Sequence, residues 1–364
     1  MKKRLTALFL AAMMTAGLCA CGSSEESSAP ADSTEESSQA AEDTEEAADA
    51  ETEDTEAADA ETGDLKEIDV VLDWYPNAIH TFLYEAIDNG YFAEEGLQVN
   101  LIEPAESIDA ITFVASGRAQ IGLTYPIEIV QANDNDMPVK ALAAVSQKPL
   151  DCLCSLASNT GVTEDMSSLK GKKVGYSGTA ASEATVRTIT RNAGLADDDY
   201  ELIDVGFDLV TSITTESVDI AAGIFINDEV PTMQQAGYEV NVFSEQDYGV
   251  PNLYGLVMAV NNDSYTEDPE MYAAFLRACQ KGFEDMCADE DAAIELIMNE
   301  MCSDDNPLDE TQQRESYEIL MDRMETEDGA FLSMSDETWQ EIIDWMVENE
   351  LAENAYTAED VVIE

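Results

Sequence analysis

The sequence predicts an α/β fold built as two similar lobes, and three observations carry that prediction. Apolar runs of strand length alternate with segments of helical spacing, the pattern of largely parallel sheets flanked by helices. Two stretches that begin one hundred residues apart, "FVASGRAQIGLTY" from Phe113 and "ITTESVDIAAGIF" from Ile213, share one construction. Each is a helix end, a short polar turn, then an apolar strand closing on an aromatic residue. The 300 residues from Leu65 onward can bury a large core, better divided between two lobes than held in one.

The chain opens on Lys2, Lys3 and Arg4, an apolar run "LTALFLAAMMTAGL" and small residues, the layout of an export leader over 1–20. The run is too short for a comfortable membrane span, which favours cleavage. "LCAC", Leu18 to Cys21, resembles a bacterial lipobox, in which the last cysteine is lipidated; Cys21 is therefore expected to be a lipid anchor. From Ser23 to Asp64 there are 17 acids and no basic or aromatic residue, so residues 21–64 read as an anchored, self-repelling tether. Its average reach is roughly 35 Å.

In the first lobe, "EIDVVLDW" reads as a strand and "AIHTFLYEAIDNGYFAEEG" as a helix with a glycine stop. "LQVNLIEP" is the next strand, "ESIDAITFVASG" a helix and "RAQIGLTY" a strand. A second cycle follows: strand "LKGKKVGYSG", helix "TAASEATVRTITRNAGL" ending at Gly194, strand "YELIDVGF", helix "DLVTSITTES" and strand "VDIAAGIF". After the strand "YGLVMAVN" the chain turns helical, with amphipathic spacing over 269–302, 308–328 and 335–352. The last of these carries Trp339 and Trp345 on its packing face and is placed on the outside of a lobe. The expected division is a first lobe over 65–155, a second over 156–257, and a return to the first, with the terminal helices, over 258–364.

Charge excludes some functions. The chain has 78 acidic against 16 basic residues, a formal net charge of −62. Without the three bases of the leader and the 17 acids of the tether, about −48 remains on the folded part, which repels nucleic acid and anionic lipid. Cys152, Cys154, Cys279, Cys287 and Cys302 lack zinc-site spacing and share the chain with one histidine, so no metal and no cofactor is expected. They read as buried free thiols, with at most one disulfide. G-x-S-x-G and Walker motifs are absent.

In open parallel sheets, ligands sit beyond the carboxyl ends of strands, beside helix N-termini. "LDWYPNAIH" and "GYSGTAASEA" are the corresponding corners of the two lobes, and facing each other they would form a cleft for a small molecule. Trp74 offers a flat face, Asp73 an acceptor, and Asn77 both donor and acceptor. Tyr125, Tyr176 and Tyr254 fall at predicted strand ends or next to turns, and Glu229 follows the second-lobe strand "IAAGIF". This set suits a planar heterocycle with exocyclic amines. Other readings stand beside it: Trp74 as inter-lobe packing, Tyr176 as a core tyrosine, Glu229 as a solvated acid, and His80 as a helix-start residue that bonds locally.

"LDWYPNAIHTFLYEAIDNGYFAEEGLQV", "SGRAQIGL", "LKGKKVGYSG", "VDIAAG" and "YGVPNLYGLV", in this order, resemble the solute-binding proteins of ABC importers of the SsuA/THI5-like (NMT1) type. The likeness spans about residues 67–330 and is greatest to the branch that binds thiamine-pyrimidine precursors. It implies a type II periplasmic-binding-protein fold, two lobes closing on ligand, and delivery to a membrane permease and its ATPase by a monomer. Carried over by motif, Trp74 would stack on the pyrimidine, Asn77 and His80 would line the first corner, and Tyr176 the second. Glu229 would pair with the aminopyrimidine edge. Relatives often follow the "GVP" corner with a Tyr–Asp–Glu-like run, where this chain has Asn252, Leu253, Tyr254 and Gly255, which leaves the ligand's substituents open. Riboflavin, an alkanesulfonate or nitrate are the alternative solutes. The family also holds fungal enzymes that make the thiamine pyrimidine from their own histidine, at the position of His80, and pyridoxal phosphate. Those carry a cysteine-rich run where this chain has the cysteine-free "DYGVPNLYGLV".

Overall fold

The computed structural model describes residues 65–105, 109–206, 208–303 and 306–363; the leader, the expected lipid anchor Cys21 and the acidic tether lie outside them. The first lobe starts with strand β1 (Lys66–Val71) and a 3-10 turn over Ala78–His80. Helices α1 (Thr81–Asp88) and α2 (Tyr91–Glu94), strand β2 (Leu97–Ile102), helix α3 (Asp109–Ala115) and strand β3 (Ile121–Thr124) follow. Helix α4 (Pro126–Asp134) and strand β4 (Val139–Ser146) complete this part. The helix expected over 78–96 is broken at Gly90, whose φ of 74° lies in the left-handed region open to glycine.

The second lobe runs β5 (Asp151–Leu156), β6 (Lys173–Tyr176), α5 (Ala180–Asn192), β7 (Glu201–Asp204), α6 (Leu209–Thr214), β8 (Ile220–Phe225), α7 (Glu229–Gln235) and β9 (Val240–Phe243). The chain then returns through β10 (Leu256–Asn261) to helices α8 (Asn262–Glu267), α9 (Pro269–Ala288), α10 (Glu290–Leu296), α11 (Glu310–Met324), α12 (Asp336–Glu348) and α13 (Ala358–Val361). One helix expected over 269–302 is divided at Asp289, whose extended backbone (φ −147°) ends α9 while its carboxylate accepts the Ala292 N–H and caps α10.

The two sheets share one plan. The strand orders are β2-β1-β3-β10-β4 and β7-β6-β8-β5-β9. In each, three parallel strands adjoin one antiparallel strand, β10 or β5, that borders the last edge strand. β3 and β8, the strands of the repeated motif, hold the same place in the two orders. The crossings between lobes are 147–150 and 244–255. The expected boundaries at 155/156 and 257/258 therefore require correction. "DCLCSL" is buried along nearly its whole length, and β8 and β9 are its two hydrogen-bonding partners, so β5 belongs to the second sheet. β10, likewise, belongs entirely to the first.

One apolar core lies within the first lobe and gathers Ile68, Phe82, Leu83, Phe275 and Met286. Gly282 lets α9 lie directly on α1, since a Cβ there would come within 2.1 Å of the Phe82 carbonyl oxygen. A second cluster includes Ile129 and Ala144 of the first lobe, Val186 and Ile220 of the second, and Trp339 and Trp345 of α12. The expectation that α12 lies outside one lobe is therefore corrected. Its apolar face closes against both, and Trp345 Nε1–H donates to Thr188 Oγ1 of α5 at 3.1 Å. Burying a side chain the size of Trp339 contributes about 3 kcal/mol, which favours a position among both lobes over an outer face. Among the described residues the cysteines are unbridged; Cys152, Cys154 and Cys279 are buried as expected, whereas Cys287 is exposed at the solvent side of α9.

Candidate functional site

The first corner is built from β1 outward. Asn77 is extended (φ −156°) and caps the turn over Ala78–His80: its Oδ1 accepts the Ile79 N–H, and its own N–H donates to His80 Nδ1 at 3.2 Å. With Nδ1 accepting, the ring hydrogen sits on Nε2, which donates to Asp73 Oδ1 at 2.9 Å. The second oxygen of Asp73 accepts from the Tyr125 hydroxyl at 2.9 Å. Tyr125 sits just before α4, where Pro126 occupies the first helical position, so the strand-to-helix turn of β3 aims at that of β1. Asp73, Asn77, His80 and Tyr125 thus form one bonded group. His80 is fully buried and both its ring nitrogens are engaged within the protein, the locally bonded arrangement of a helix-start residue. It orients Asp73.

Trp74 stands apart from this rigid base. Its ring is 52% exposed and meets Tyr75, itself 48% exposed, edge-on with centroids 5.8 Å apart. Two exposed aromatic rings above a buried hydrogen-bonded network make an uncovered stacking surface.

In the second lobe, Tyr176 ends β6 half-buried against the shared core, and burial raises its phenol above the usual range. Ser177, Gly178 and Thr179 turn the chain into α5, with Thr179 Oγ1 accepting the Ser182 N–H. Gly178 has φ +77°, and a Cβ there would lie 2.6 Å from Asp204 Oδ1. Glu229 opens α7, and its Oε2 accepts the Phe225 N–H at 2.9 Å. Burial, then the neighbouring Asp228, push its carboxyl up to about 7. Asp151 pairs with Phe225 across the ladder, and burial raises it to about 6. Its field reaches Glu229 and, in the first lobe, Tyr125, whose hydroxyl is held well above its ordinary value by burial first and Asp73 next.

Helix α11 joins the corners. Gln313 Oε1 accepts the Ala78 N–H at 3.0 Å, Ser316 Oγ bonds Asn227 at 3.3 Å, and Gln312 bonds Asp228 and Thr232. None of these residues stands out in the sequence by type, although adjacent amides in an otherwise acidic helix, and Asn227 two residues from Glu229, are signals in retrospect. Tyr75 and Asp151 were also unmarked. Tyr254 is not brought to this group. It lies in the shared core 4% exposed, its ring tilted against Trp339 and its hydroxyl accepting the Ser335 N–H at 2.9 Å.

Chemically, the first corner presents exposed aromatic faces, and the second presents carboxyl groups that burial makes harder to ionise. Among the described residues no Lys or Arg forms an ion pair with Asp73, Asp151 or Glu229. Arg118, the arginine nearest in sequence to β3, lies over the Phe113 ring at 3.5 Å. Such a set of groups favours a flat ring carrying N–H donors and disfavours an anion.

The family model described as NMT1/THI5 like matches residues 77–293. The formylaminopyrimidine-binding protein of Halalkalibacterium halodurans is 37% identical over 297 residues, 81% of this chain and 89% of that protein. The 4-amino-5-hydroxymethyl-2-methylpyrimidine phosphate synthase THI11 of Saccharomyces cerevisiae is 27% identical over 232 residues, 61% of this chain and 68% of that protein. Among solved structures, the periplasmic aliphatic sulphonate binding protein SsuA from Escherichia coli superposes with a TM-score of 0.66 at 13% identity, covering 82% of this chain and 92% of that one. The fold is therefore that of the type II periplasmic binding proteins.

Proposed function

The chain belongs to the NMT1/THI5-like family, and from that premise we propose that it captures a thiamine pyrimidine precursor, of the formylaminopyrimidine or hydroxymethylpyrimidine type, for an ABC importer. The observation that carries this reading is the exposed Trp74 face beside a buried Asp73–His80–Tyr125 network, with the near-neutral carboxyl of Glu229 on the second lobe. The indole takes the ring face, and Glu229 takes an exocyclic amine or a protonated ring nitrogen. The relative named as a formylaminopyrimidine-binding protein supports the same class of ligand.

The protein works as a carrier rather than a synthase in this reading. In the fungal enzymes the histidine at the position of His80 is consumed. Here that ring is fully buried with both nitrogens engaged, and "DYGVPNLYGLV" offers no cysteine. A monomer anchored through Cys21 outside the cytoplasm, on an acidic tether, would hand its ligand to a permease and its ATPase. Among the described residues no helix is long and apolar enough to cross a membrane. Cys21→Ala is expected to move the protein from the membrane fraction to the medium; retention would remove the anchor from the proposal.

Calorimetric titration of the protein with formylaminopyrimidine, hydroxymethylpyrimidine, riboflavin, an alkanesulfonate and nitrate tests the ligand class. Binding confined to the aminopyrimidines is expected. Tighter binding of riboflavin or of either anion would replace the reading.

A further inference from the structure

Asn227 lies in the turn between β8 and α7, between Phe225, which holds the Glu229 carboxyl, and Glu229 itself. It is 8% exposed. Its Nδ2 donates to Ser316 Oγ, but its Oδ1 is shut off from solvent and has no partner among the described residues. Buried amide oxygens are nearly always paired, because an unpaired one forfeits its hydration without return.

The position of this amide is as informative as its unpaired atom. Ser316 and Gln313 are three residues apart on α11 and so share a face. Gln313 holds Ala78 in the first corner, and Ser316 holds Asn227 in the second. Asn227 therefore hangs between the two corners from the helix that spans them. Its neighbours in this turn are the carboxyls of Asp228 and Glu229, both raised by burial, and Asp151 lies within electrostatic reach of Glu229. An acceptor set among carboxyl groups calls for an N–H donor on an uncharged or cationic group.

We propose that Asn227 is a specificity-determining residue of the cleft, its Oδ1 accepting an N–H of the ligand's ring-bound amino group alongside Glu229. The assignment rests on the aminopyrimidine reading and adds to it: the site selects an amino-substituted ring over the same ring bearing hydrogen or a carbonyl oxygen at that carbon.

The test measures binding of 4-amino-5-hydroxymethyl-2-methylpyrimidine and of its 4-unsubstituted and 4-oxo analogues to the full chain, by calorimetry. Asn227→Leu is expected to weaken the amino ligand about tenfold, the scale of one hydrogen bond, while changing the 4-unsubstituted analogue little. Asn227→Asp keeps an acceptor and should keep the preference for the amine. Thermal unfolding of each variant without ligand registers whether it is folded, and the Asp variant carries the test if the Leu variant is not. Equal weakening of all three ligands by Asn227→Leu, no weakening, or a preference for the 4-oxo ring that the substitution abolishes would each overturn the assignment. A parent protein that binds none of the three would overturn the aminopyrimidine reading itself, and the role of Asn227 with it.

Discussion

Trp74 differs from the other two tryptophans in a way a spectroscopic experiment can use. Trp339 and Trp345 are buried, with their indole N–H groups given to Met334 Sδ and Thr188 Oγ1, whereas Trp74 is half-exposed. Trp74→Phe should weaken aminopyrimidine binding by about 1 kcal/mol and abolish most of the ligand-dependent change in emission. Normal affinity with an intact signal would make Trp74 a packing residue only. Glu229 makes a prediction in pH. Its folded value of about 7 lies above the ordinary 4.5, so between those limits the folded chain holds more protons than the unfolded one. Its contribution to stability is thus full at low pH and is lost as pH rises through about 7, by an upper scale of about 3 kcal/mol. Glu229→Gln should therefore flatten the fall in melting temperature between pH 4.5 and 7; an unchanged slope would show that the carboxyl is solvated. At this scale Asp73, Asn77, His80 and Tyr125 were legible, because residues at the mouths of adjacent parallel strands are neighbours whatever the details. Tyr254 was not. Its φ of 24° and its bond to Ser335 are set by a segment eighty-one residues away in sequence, and they turn the ring into the core.

Elements were legible where period and punctuation agreed, as in β1, or the repeated helix, turn and strand around β3 and β8. β4, β5 and β9 were not read as strands of particular sheets. "VKALAAVS" and "DCLCSL" are short and largely buried, so alternation gives no face, and only pairing with β10, or with β8 and β9, assigns them. The bridging role of α11 was hidden for a related reason. Its apolar face was visible as spacing, but its contacts with the corners are made by Gln312, Gln313 and Ser316, polar residues that read as solvent-facing. That makes Gln313 a useful probe. Gln313→Ala would leave the Ala78 N–H buried without its acceptor, costing about 1–3 kcal/mol. A melting temperature lowered by several degrees is expected, with weaker ligand binding as the first corner loosens. A parent-like melting temperature would mean that water replaces the amide and that α11 does not hold the corner.

At the scale of the molecule, two chain crossings and two helices govern how the lobes can move. The crossings at 147–150 and 244–255 are joined to each other and to α11: Asn252 Nδ2 donates to the Gln147 carbonyl, and Arg323 donates to that of Pro149. α12 seals one side through the shared apolar core, which favours rotation about that side over separation of the lobes. At α11 the lobes meet through polar contacts, Gln312 with Asp228 and Thr232 and Ser316 with Asn227, beside Phe225, which packs partly against the first-lobe core. Such contacts form and break more readily than an apolar core, so the corners should open and close against each other while α12 stays in place. A ligand bound by both corners then favours the closed arrangement by its differential affinity. Small-angle scattering should show a smaller radius of gyration with saturating aminopyrimidine than without it. Gln312→Ala, which removes the contacts of one side chain on the polar side, should enlarge the ligand-free radius and leave the ligand-bound one close to the parent's. An identical radius in all four states would mean that the lobes are fixed and that ligand enters a preformed cleft.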